Sequence, residues 1–241
     1  MKLIILLNLA NNEKFYLFYA ILIYLLILDI EKSPMTETKS EIDLPIIISN
    51  NCWGYHYYKS NEIPYPTPFI GLFLYIPDYI KLLENFESYM ETELKFVKRS
   101  KWPVKLDNYP IGIINDAEIH FLHYKTEQEA REKWNRRLSR MHKNYDRYYF
   151  KFDDIEKPFD YSIIKRFHDL PFKNKISFTK IRYPEFKNNF EFYFGKPLSG
   201  GRLYQTTPFY FDINGWLSGR QLKKRLQYKI YKNTLSHFFN R

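Results

Sequence analysis

The sequence contains a single cysteine, Cys52, among its 241 residues, so no internal disulfide can form. A reducing compartment is the expected environment, because disulfides are rare there. Neither the G-x-G-x-x-G pattern of dinucleotide-binding proteins nor a P-loop occurs. The sequence therefore identifies no cofactor.

Long apolar runs are also lacking. The strongly apolar stretch at residues 15–28 is uncharged for fourteen residues, whereas a membrane-spanning helix needs about 20. No small-residue cleavage site follows it, which argues against a cleaved signal peptide. Residues 1–40 are interpreted either as a short anchor or as mis-assigned upstream sequence, with Met35 as the expected start. The folded part is expected to be soluble and cytoplasmic, with membrane association as an open alternative.

Acidic residues are missing from the end of the chain. The formal net charge is +10, and residues 218–241 carry +7 of it with no Asp or Glu. Leu222, Leu226 and Ile230 recur every four residues, which predicts a basic amphipathic helix over 218–241. A docked helix with a solvated basic face is one interpretation, and contact with an anionic membrane surface is another. Helix-turn-helix, zinc-finger and RRM signatures are absent, so nucleic acid is not an expected partner.

Aromatic residues, in contrast, are abundant. They make up 20% of the chain, with 22 Tyr and 21 Phe. A bias toward residues with AT-rich codons accounts for part of this content. The remainder suits stacking against carbohydrate or nucleobases.

Strand-like and helical patterns alternate over residues 41–217. Residues 44–49 form a continuous apolar run, which is typical of a buried strand. This run leads into the small polar residues 50–54, and such a loop is the usual ligand-facing end of an α/β unit. We predict an α/β fold with a mainly parallel sheet and flanking helices, or alternatively two small α/β subdomains.

Titratable side chains are concentrated in residues 109–124. Asp116, Glu118, His120 and His123 fall within eight residues of a segment that is otherwise rich in Ile, Phe and Tyr. On a strand, alternation directs Asp116, Glu118 and His120 to one face and His123 to the other. Asp116 or Glu118 would then serve as a general base toward a hydroxyl acceptor. Two carboxylates and two imidazoles suit Zn, Mn or Fe, but the spacing matches no metal motif, so no metal site is predicted.

A basic helix is predicted directly after this segment. Thr126 and Glu129 form a capping box, and the helical pattern continues to about residue 142. Arg137 and Arg140 share one face of this helix and could neutralise a phosphate. A solvated face with ion pairs to nearby glutamates is the alternative.

Cys52 could act as a nucleophile, because it follows a strand and precedes a predicted helix N-terminus. A cysteine beside a tryptophan, here Trp53, more often serves as a small buried hydrophobe.

Several segments together resemble a known family. They are IISNNCWG at residues 47–54, Tyr65 with residues 67–69, YPIGIINDAEIHFLHY at 109–124, KWNRRLSR at 133–140, LPFKNKISFT at 170–179 and FDINGWL at 211–217. The sequence resembles a bacterial family built on a domain of unknown function (number nineteen-nineteen), often described as exopolysaccharide biosynthesis proteins. The resemblance covers residues 44–217 and implies a cytoplasmic α/β protein of surface-polysaccharide assembly. It supplies no established catalytic residue.

The expected function is that of a sugar transferase or sugar-modifying enzyme acting on a nucleotide- or lipid-diphosphate-linked sugar. The expected catalytic residues are Asp116, Glu118 and His120. The expected substrate-binding residues are Asn50, Asn51, Cys52, Trp53, His123, Arg137 and Arg140. One alternative is a non-catalytic, membrane-peripheral partner in polysaccharide assembly, held by residues 218–241. A further alternative is a cysteine hydrolase.

Overall fold

A parallel sheet of four strands lies at the centre of the protein, flanked by helices and by a smaller antiparallel sheet. The computed structural model describes residues 44–103, 108–155, 161–192 and 199–239, with side chains up to residue 233. The apolar segment at residues 1–40 and the expected start at Met35 lie outside these ranges. The elements in chain order are β1 (Ile46–Ser49), α1 (Trp53–Ser60), α2 (Ile76–Glu84), α3 (Phe86–Glu91), β2 (Lys95–Val97), β3 (Ile111–Ile114), β4 (Ala117–His120), α4 (Glu127–Leu138), β5 (Tyr148–Asp153), α5 (Tyr161–Asp169), β6 (Asn174–Thr179), β7 (Asn189–Glu191), α6 (Gly200–Tyr210), α7 (Ile213–Leu217) and α8 (Leu226–Phe239).

The central sheet has the strand order β1-β5-β6-β7, and every neighbouring pair is parallel. β1 and β5 are buried along their whole length. Burial on both faces explains the continuous apolar run of β1, because neither side of the strand meets water.

Each face of this sheet contributes to its own hydrophobic core. Ile46, Ile48 and Phe150 pack on the side that holds α2, α3, α5 and the small sheet. Ile47 and Tyr149 project into the opposite core, which contains α1, α6, α7 and α8. The alternation of side chains along each strand thus divides the sheet between two apolar layers.

The small sheet has the order β2-β3-β4 and is antiparallel throughout. The prediction of a mainly parallel sheet therefore holds for the central sheet but not for residues 111–120. There the chain reverses over the two residues Asn115 and Asp116, and Asn115 has a positive φ of 50°. Asparagine tolerates this left-handed conformation better than most residues, which permits the tight hairpin.

The predicted start of the basic helix is confirmed at α4. Thr126 is the N-cap, and its Oγ1 accepts a hydrogen bond of 3.1 Å from the Glu129 backbone N–H. The Glu129 carboxylate reaches back to the backbone N–H of Lys125 at 2.9 Å. α4 ends at Leu138, a few residues earlier than predicted.

The C-terminal helix differs from its prediction in both start and orientation. α8 begins at Leu226 rather than near residue 218, because Lys224 instead forms an isolated β-bridge with Phe211. Among its side chains up to residue 233, Tyr228 and Tyr231 are buried, whereas Leu226 is exposed. No helix in the described ranges combines the length and apolar character needed to cross a bilayer.

Candidate functional site

A buried polar cluster, here called the edge cluster, lies at the carboxyl ends of β1 and β5. Its members are Asn50, Asn51, Lys151 and Asp153, and all four side chains are buried. Lys151 and Asp153 are two residues apart on β5, so they project from the same face. Asn50 and Asn51 follow β1, the parallel neighbour of β5. The carboxyl edge of a parallel sheet is the usual location of ligand sites in α/β folds.

Lys151 is surrounded by acceptors within the edge cluster. Its Nζ lies 3.3 Å from Asn50 Oδ1 and 3.1 Å from Asn51 Oδ1, and it contacts the Asp153 carboxylate. Asn51 Nδ2 donates to Asp153 Oδ2 at 2.7 Å. Burial drives the pKa of Lys151 well below its usual range, whereas contact with Asp153 favours the charged form. A charged Lys151 would be costly to bury without these partners. The hydrogen bonds of the cluster also join the carboxyl end of β1 to that of β5.

The first turn of α6 packs directly against this edge. A Cβ at Gly200 would lie 2.3 Å from Asn51 Oδ1, and one at Gly201 would lie 2.4 Å from His56 Nε2. At Gly200 a larger residue would displace the buried Asn51 side chain, whereas at Gly201 the half-buried His56 ring would have to move. Ser199 caps the helix by accepting from the Arg202 backbone N–H at 3.2 Å.

Cys52 and Trp53 lie beside the edge cluster but have structural contacts. Trp53 is buried, and its indole Nε1 donates to Thr207 Oγ1 at 3.0 Å. The Cys52 Sγ contacts the Leu72 carbonyl oxygen at 3.7 Å. Burial raises the pKa of the Cys52 thiol to about 11. A nucleophilic cysteine needs a lowered pKa, so this environment does not favour the cysteine-hydrolase alternative.

A second polar cluster, the hairpin cluster, surrounds Glu118 on β4. Its carboxylate accepts from Ser100 Oγ and from the Lys101 backbone N–H, both at 2.7 Å. The Glu118 backbone N–H donates to the buried carboxylate of Asp78 at 3.0 Å. Asp78 also accepts from Lys101 Nζ at 2.8 Å and from Trp102 Nε1 at 2.7 Å. These bonds hold Glu118 in a single orientation.

His120 stands between Glu118 and Tyr109. Its Nε2 lies 3.5 Å from Glu118 Oε2, and its Nδ1 lies 3.4 Å from the Tyr109 hydroxyl. The imidazole is fully buried, whereas Tyr109 is partly exposed. The three side chains therefore form a row from a buried carboxylate to the hydroxyl of a partly exposed tyrosine, here called the Glu–His–Tyr row.

Aromatic rings enclose the outer end of this row. Tyr75 contacts the His120 ring edge-on, with 5.2 Å between centroids. Trp102 stacks on Tyr75 at 5.0 Å. Phe73 lies 6.2 Å from the His120 ring. Tyr75, Trp102 and Phe73 are all partly exposed, so they present aromatic surface to solvent beside a hydroxyl.

The two clusters are connected by residues 71–75. The backbone N–H of Leu74 donates to the Asn50 carbonyl oxygen at 2.9 Å. Phe73 and His120 exchange two backbone hydrogen bonds of 2.8 Å. A single extended segment therefore lies between the carboxyl end of β1 and the Glu–His–Tyr row.

Asp116 lies apart from the residues with which alternation had grouped it. Glu118 and His120 share one face of β4, as the prediction required, but Asp116 occupies the exposed hairpin turn. Its carboxylate accepts from Lys81 Nζ and from the Tyr89 hydroxyl, each at 2.6 Å. The bond from Lys81, followed by that from Tyr89, lowers the pKa of Asp116.

The predicted phosphate-binding arginines occupy different environments. Arg137 is buried, donates to the Tyr124 hydroxyl at 2.5 Å, and lies over the Tyr65 ring at 5.1 Å. Arg140 follows the end of α4 and is exposed, as is His123. Because Arg137 is held by aromatic side chains, the pair does not form one binding face.

Sequence reasoning missed Lys151, Asp153, Tyr109 and Trp102. The signal for the first two was present, since a lysine and an aspartate at alternate positions interrupt an aromatic strand. Tyr109 and Trp102 had no comparable signal, because they reach the site from loops whose course depends on the whole fold.

No group of three or more His, Cys, Asp or Glu in the described part of the chain could hold a metal ion. A cleft of about 610 Å³ lies at the opposite, amino end of β5 and β6, and is lined by Phe86, Tyr145, Phe172 and Lys173 among others. Its charged lining consists of Glu84, Glu87 and an exposed ion pair between Lys173 and Asp146 at 3.0 Å. None of the members of the edge cluster or the hairpin cluster lines this cleft.

Comparison with known proteins identifies the family to which this chain belongs. Residues 29–196 match the family described as "Domain of unknown function (DUF1919)". The chain belongs to this family. It is also 34% identical over 187 residues to an uncharacterized protein of Haemophilus influenzae (strain ATCC 51907 / DSM 11121 / KW20 / Rd), covering 78% of this chain and 83% of that protein.

Proposed function

We propose that the protein is a sugar transferase or sugar-modifying enzyme of surface-polysaccharide biosynthesis. Its substrate would be a nucleotide- or lipid-diphosphate-linked sugar. The observation that carries the proposal is the Glu–His–Tyr row, which ends beside the stacked rings of Tyr75 and Trp102.

Support for general-base catalysis comes from the order of the row, in which an imidazole lies between a carboxylate and a hydroxyl. With a proton on Nε2, His120 would present Nδ1 as an acceptor to the Tyr109 hydroxyl. A sugar hydroxyl bound at the surface would give its proton to the Tyr109 oxygen as the Tyr109 proton passes to Nδ1. The resulting imidazolium would be stabilised by Glu118, as in other base–carboxylate pairs.

The aromatic rings supply a binding surface for the same substrate. Sugar rings and nucleobases both stack on aromatic faces, and the partly exposed Tyr75–Trp102 pair offers such a face. Residues 50–54 lie one extended segment away, and among them only Cys52 is partly exposed. The proposed location is the cytoplasm, because a chain with one cysteine suits a reducing compartment.

Binding can be tested through the fluorescence of Trp102. Trp53, Trp134 and Trp216 are buried, so a ligand at the proposed site would quench chiefly Trp102. We expect saturable quenching by at least one member of a panel of UDP- and dTDP-linked sugars, and its loss in Trp102→Phe. A Trp134→Phe variant, altered in the core, should keep the response. Quenching that persists in Trp102→Phe would contradict the site.

Catalysis is tested by nucleotide release with membrane lipids as acceptor. His120→Asn is expected to reduce turnover by roughly 10²- to 10⁴-fold, the usual contribution of a general base. Glu118→Gln should lower turnover with binding retained. Asp116→Asn is the matched control, because that carboxylate lies on the exposed turn and should be dispensable. Equal losses in Asp116→Asn and Glu118→Gln would contradict the proposed roles.

A further inference from the structure

Five basic side chains form one surface, here called the basic surface, along β7 and the start of α8. Its members are Arg182, Lys187, Lys224, Lys229 and Lys232. Lys224 lies at its centre, with Nζ 5.1 Å from the ring centroid of Phe190 on β7. The charges of the other four all act on Lys224, and together with its partial burial they lower its pKa to about 8, burial contributing most.

Two acidic residues, the exposed Glu185 and the half-buried Glu191, lie in the segment of the chain that contributes Arg182 and Lys187 to this surface. None of its five cations forms an ion pair with another described residue. Glu191, half-buried at the end of β7, is acted on by Arg182 and Lys232, and burial raises its pKa. Folding therefore gathers like charges at a cost, which a bound polyanionic surface would offset.

Apolar side chains are exposed next to this surface on α8, where Leu226 and Lys229 are three residues apart and so are neighbours on the helix. Leu226 is 67% exposed and Ile230 is 44% exposed, and their four-residue spacing places them together on α8. The opposite side of the helix is anchored to the sheet edge. There the Tyr228 hydroxyl accepts from the Glu191 backbone N–H at 3.1 Å, and the Tyr231 hydroxyl donates to the Phe192 carbonyl at 3.3 Å. Ile181, beside Arg182 in the sequence, is 55% exposed.

We propose that the basic surface docks the protein on a bilayer containing anionic lipids. Cations near such a surface attract headgroup phosphates, and apolar side chains between them enter the interfacial region. A nucleic acid or other soluble polyanion would engage the cations but leave Leu226 and Ile230 in water. The combination of charge and exposed hydrocarbon therefore favours a membrane. This proposal is independent of the proposed reaction, since docking is measured without turnover.

The test is flotation of the full-length protein with vesicles. We expect binding to vesicles of phosphatidylcholine with phosphatidylglycerol and weak binding to phosphatidylcholine alone. The triple variant Lys187→Gln, Lys229→Gln, Lys232→Gln should bind roughly 100-fold more weakly, because each cation near the surface contributes about five-fold. The matched control is Lys98→Gln, Lys125→Gln, Lys143→Gln, which removes the same charge from exposed lysines elsewhere and should bind like the parent.

A second pair of variants separates a membrane from a soluble polyanion. Leu226→Gln with Ile230→Gln should weaken vesicle binding, whereas Leu122→Gln, at another exposed apolar position, should not. The proposal would be overturned if the two triple lysine variants bound vesicles equally. It would also be overturned if the parent bound phosphatidylcholine vesicles as strongly as vesicles that contain phosphatidylglycerol. It would also be overturned if the Leu226 and Ile230 changes had no effect while heparin released the bound protein.

Discussion

His168 illustrates how burial sets the protonation of one side chain. It lies on α5, with Nε2 2.8 Å from Ser177 Oγ and its ring stacked on Phe186 at 4.3 Å. Burial, assisted by the positive charge of Lys175, lowers the pKa of His168 from 6.5 to about 4. The folded protein therefore holds this imidazole neutral at pH values where the unfolded chain would protonate it.

This difference predicts a pH dependence of stability. Between about pH 6.5 and pH 4 the unfolded state binds more protons at His168 than the folded state does. The contribution of neutral His168 to the free energy of unfolding is therefore complete above this range and decreases as the pH falls through it. Between pH 7 and pH 5 we expect a loss of about 2 kcal/mol in the free energy of unfolding from this residue. The free energy of unfolding, measured by urea denaturation, should depend less steeply on pH in His168→Gln than in the parent. His123→Gln, changed at an exposed histidine, is the control and should retain the parent profile.

Single residues of the candidate site were predictable to different degrees. The pairing of Glu118 with His120 follows from strand alternation, which needs only local sequence. The separation of Asp116 from them depends on where the chain reverses, which alternation along a single strand does not indicate. The burial of Arg137 depends on Tyr124, whose position is set by the fold rather than by helix periodicity.

At the scale of elements, the capping box of α4 gives a direct prediction. Replacing Thr126 by Ala removes the acceptor of the Glu129 backbone N–H and should lower the free energy of unfolding by about 1 kcal/mol. Thr126→Ser keeps an acceptor oxygen and should cost much less. Urea denaturation of the three proteins measures the difference. Equal stabilities for the Ala and Ser variants would show that the cap bond contributes nothing.

Elements with strong local signals were predicted, and those defined by their partners were not. β1 and the start of α4 are encoded by an apolar run and a capping motif. The start and the buried face of α8 could not be predicted from the spacing of apolar residues. Its buried side chains, Tyr228 and Tyr231, are those that form hydrogen bonds to the backbone of Glu191 and Phe192. Glycine disfavours helix formation, yet Gly200 and Gly201 begin α6, where the helix packs closely on Asn51.

For the whole molecule, the central sheet links the two hydrophobic cores. Ile46 and Ile48 belong to one core and Ile47 to the other, so neither core can lose its packing without disturbing β1. We therefore expect one cooperative unfolding transition, as is usual for a single packed unit. Trp134 reports on one core, and Trp53 and Trp216 on the other.

The measurement is urea unfolding followed by tryptophan fluorescence in Trp134→Phe and in a Trp53→Phe, Trp216→Phe double variant. For each protein, fluorescence and far-UV circular dichroism should give coincident midpoints. Two separated fluorescence transitions, one for each set of tryptophans, would instead identify the cores as independent units.

The pairing of β1 with β5 also has a consequence for synthesis of the chain. Ile46 is matched with Tyr148, about a hundred residues later. During translation β1 leaves the ribosome before β5 has been synthesised. Until then the apolar residues of β1 have no strand with which to pair. Contacts of such long range form slowly and leave the nascent chain open to aggregation. The small antiparallel sheet and α2, which lie between the two strands in sequence, can cover β1 during that interval.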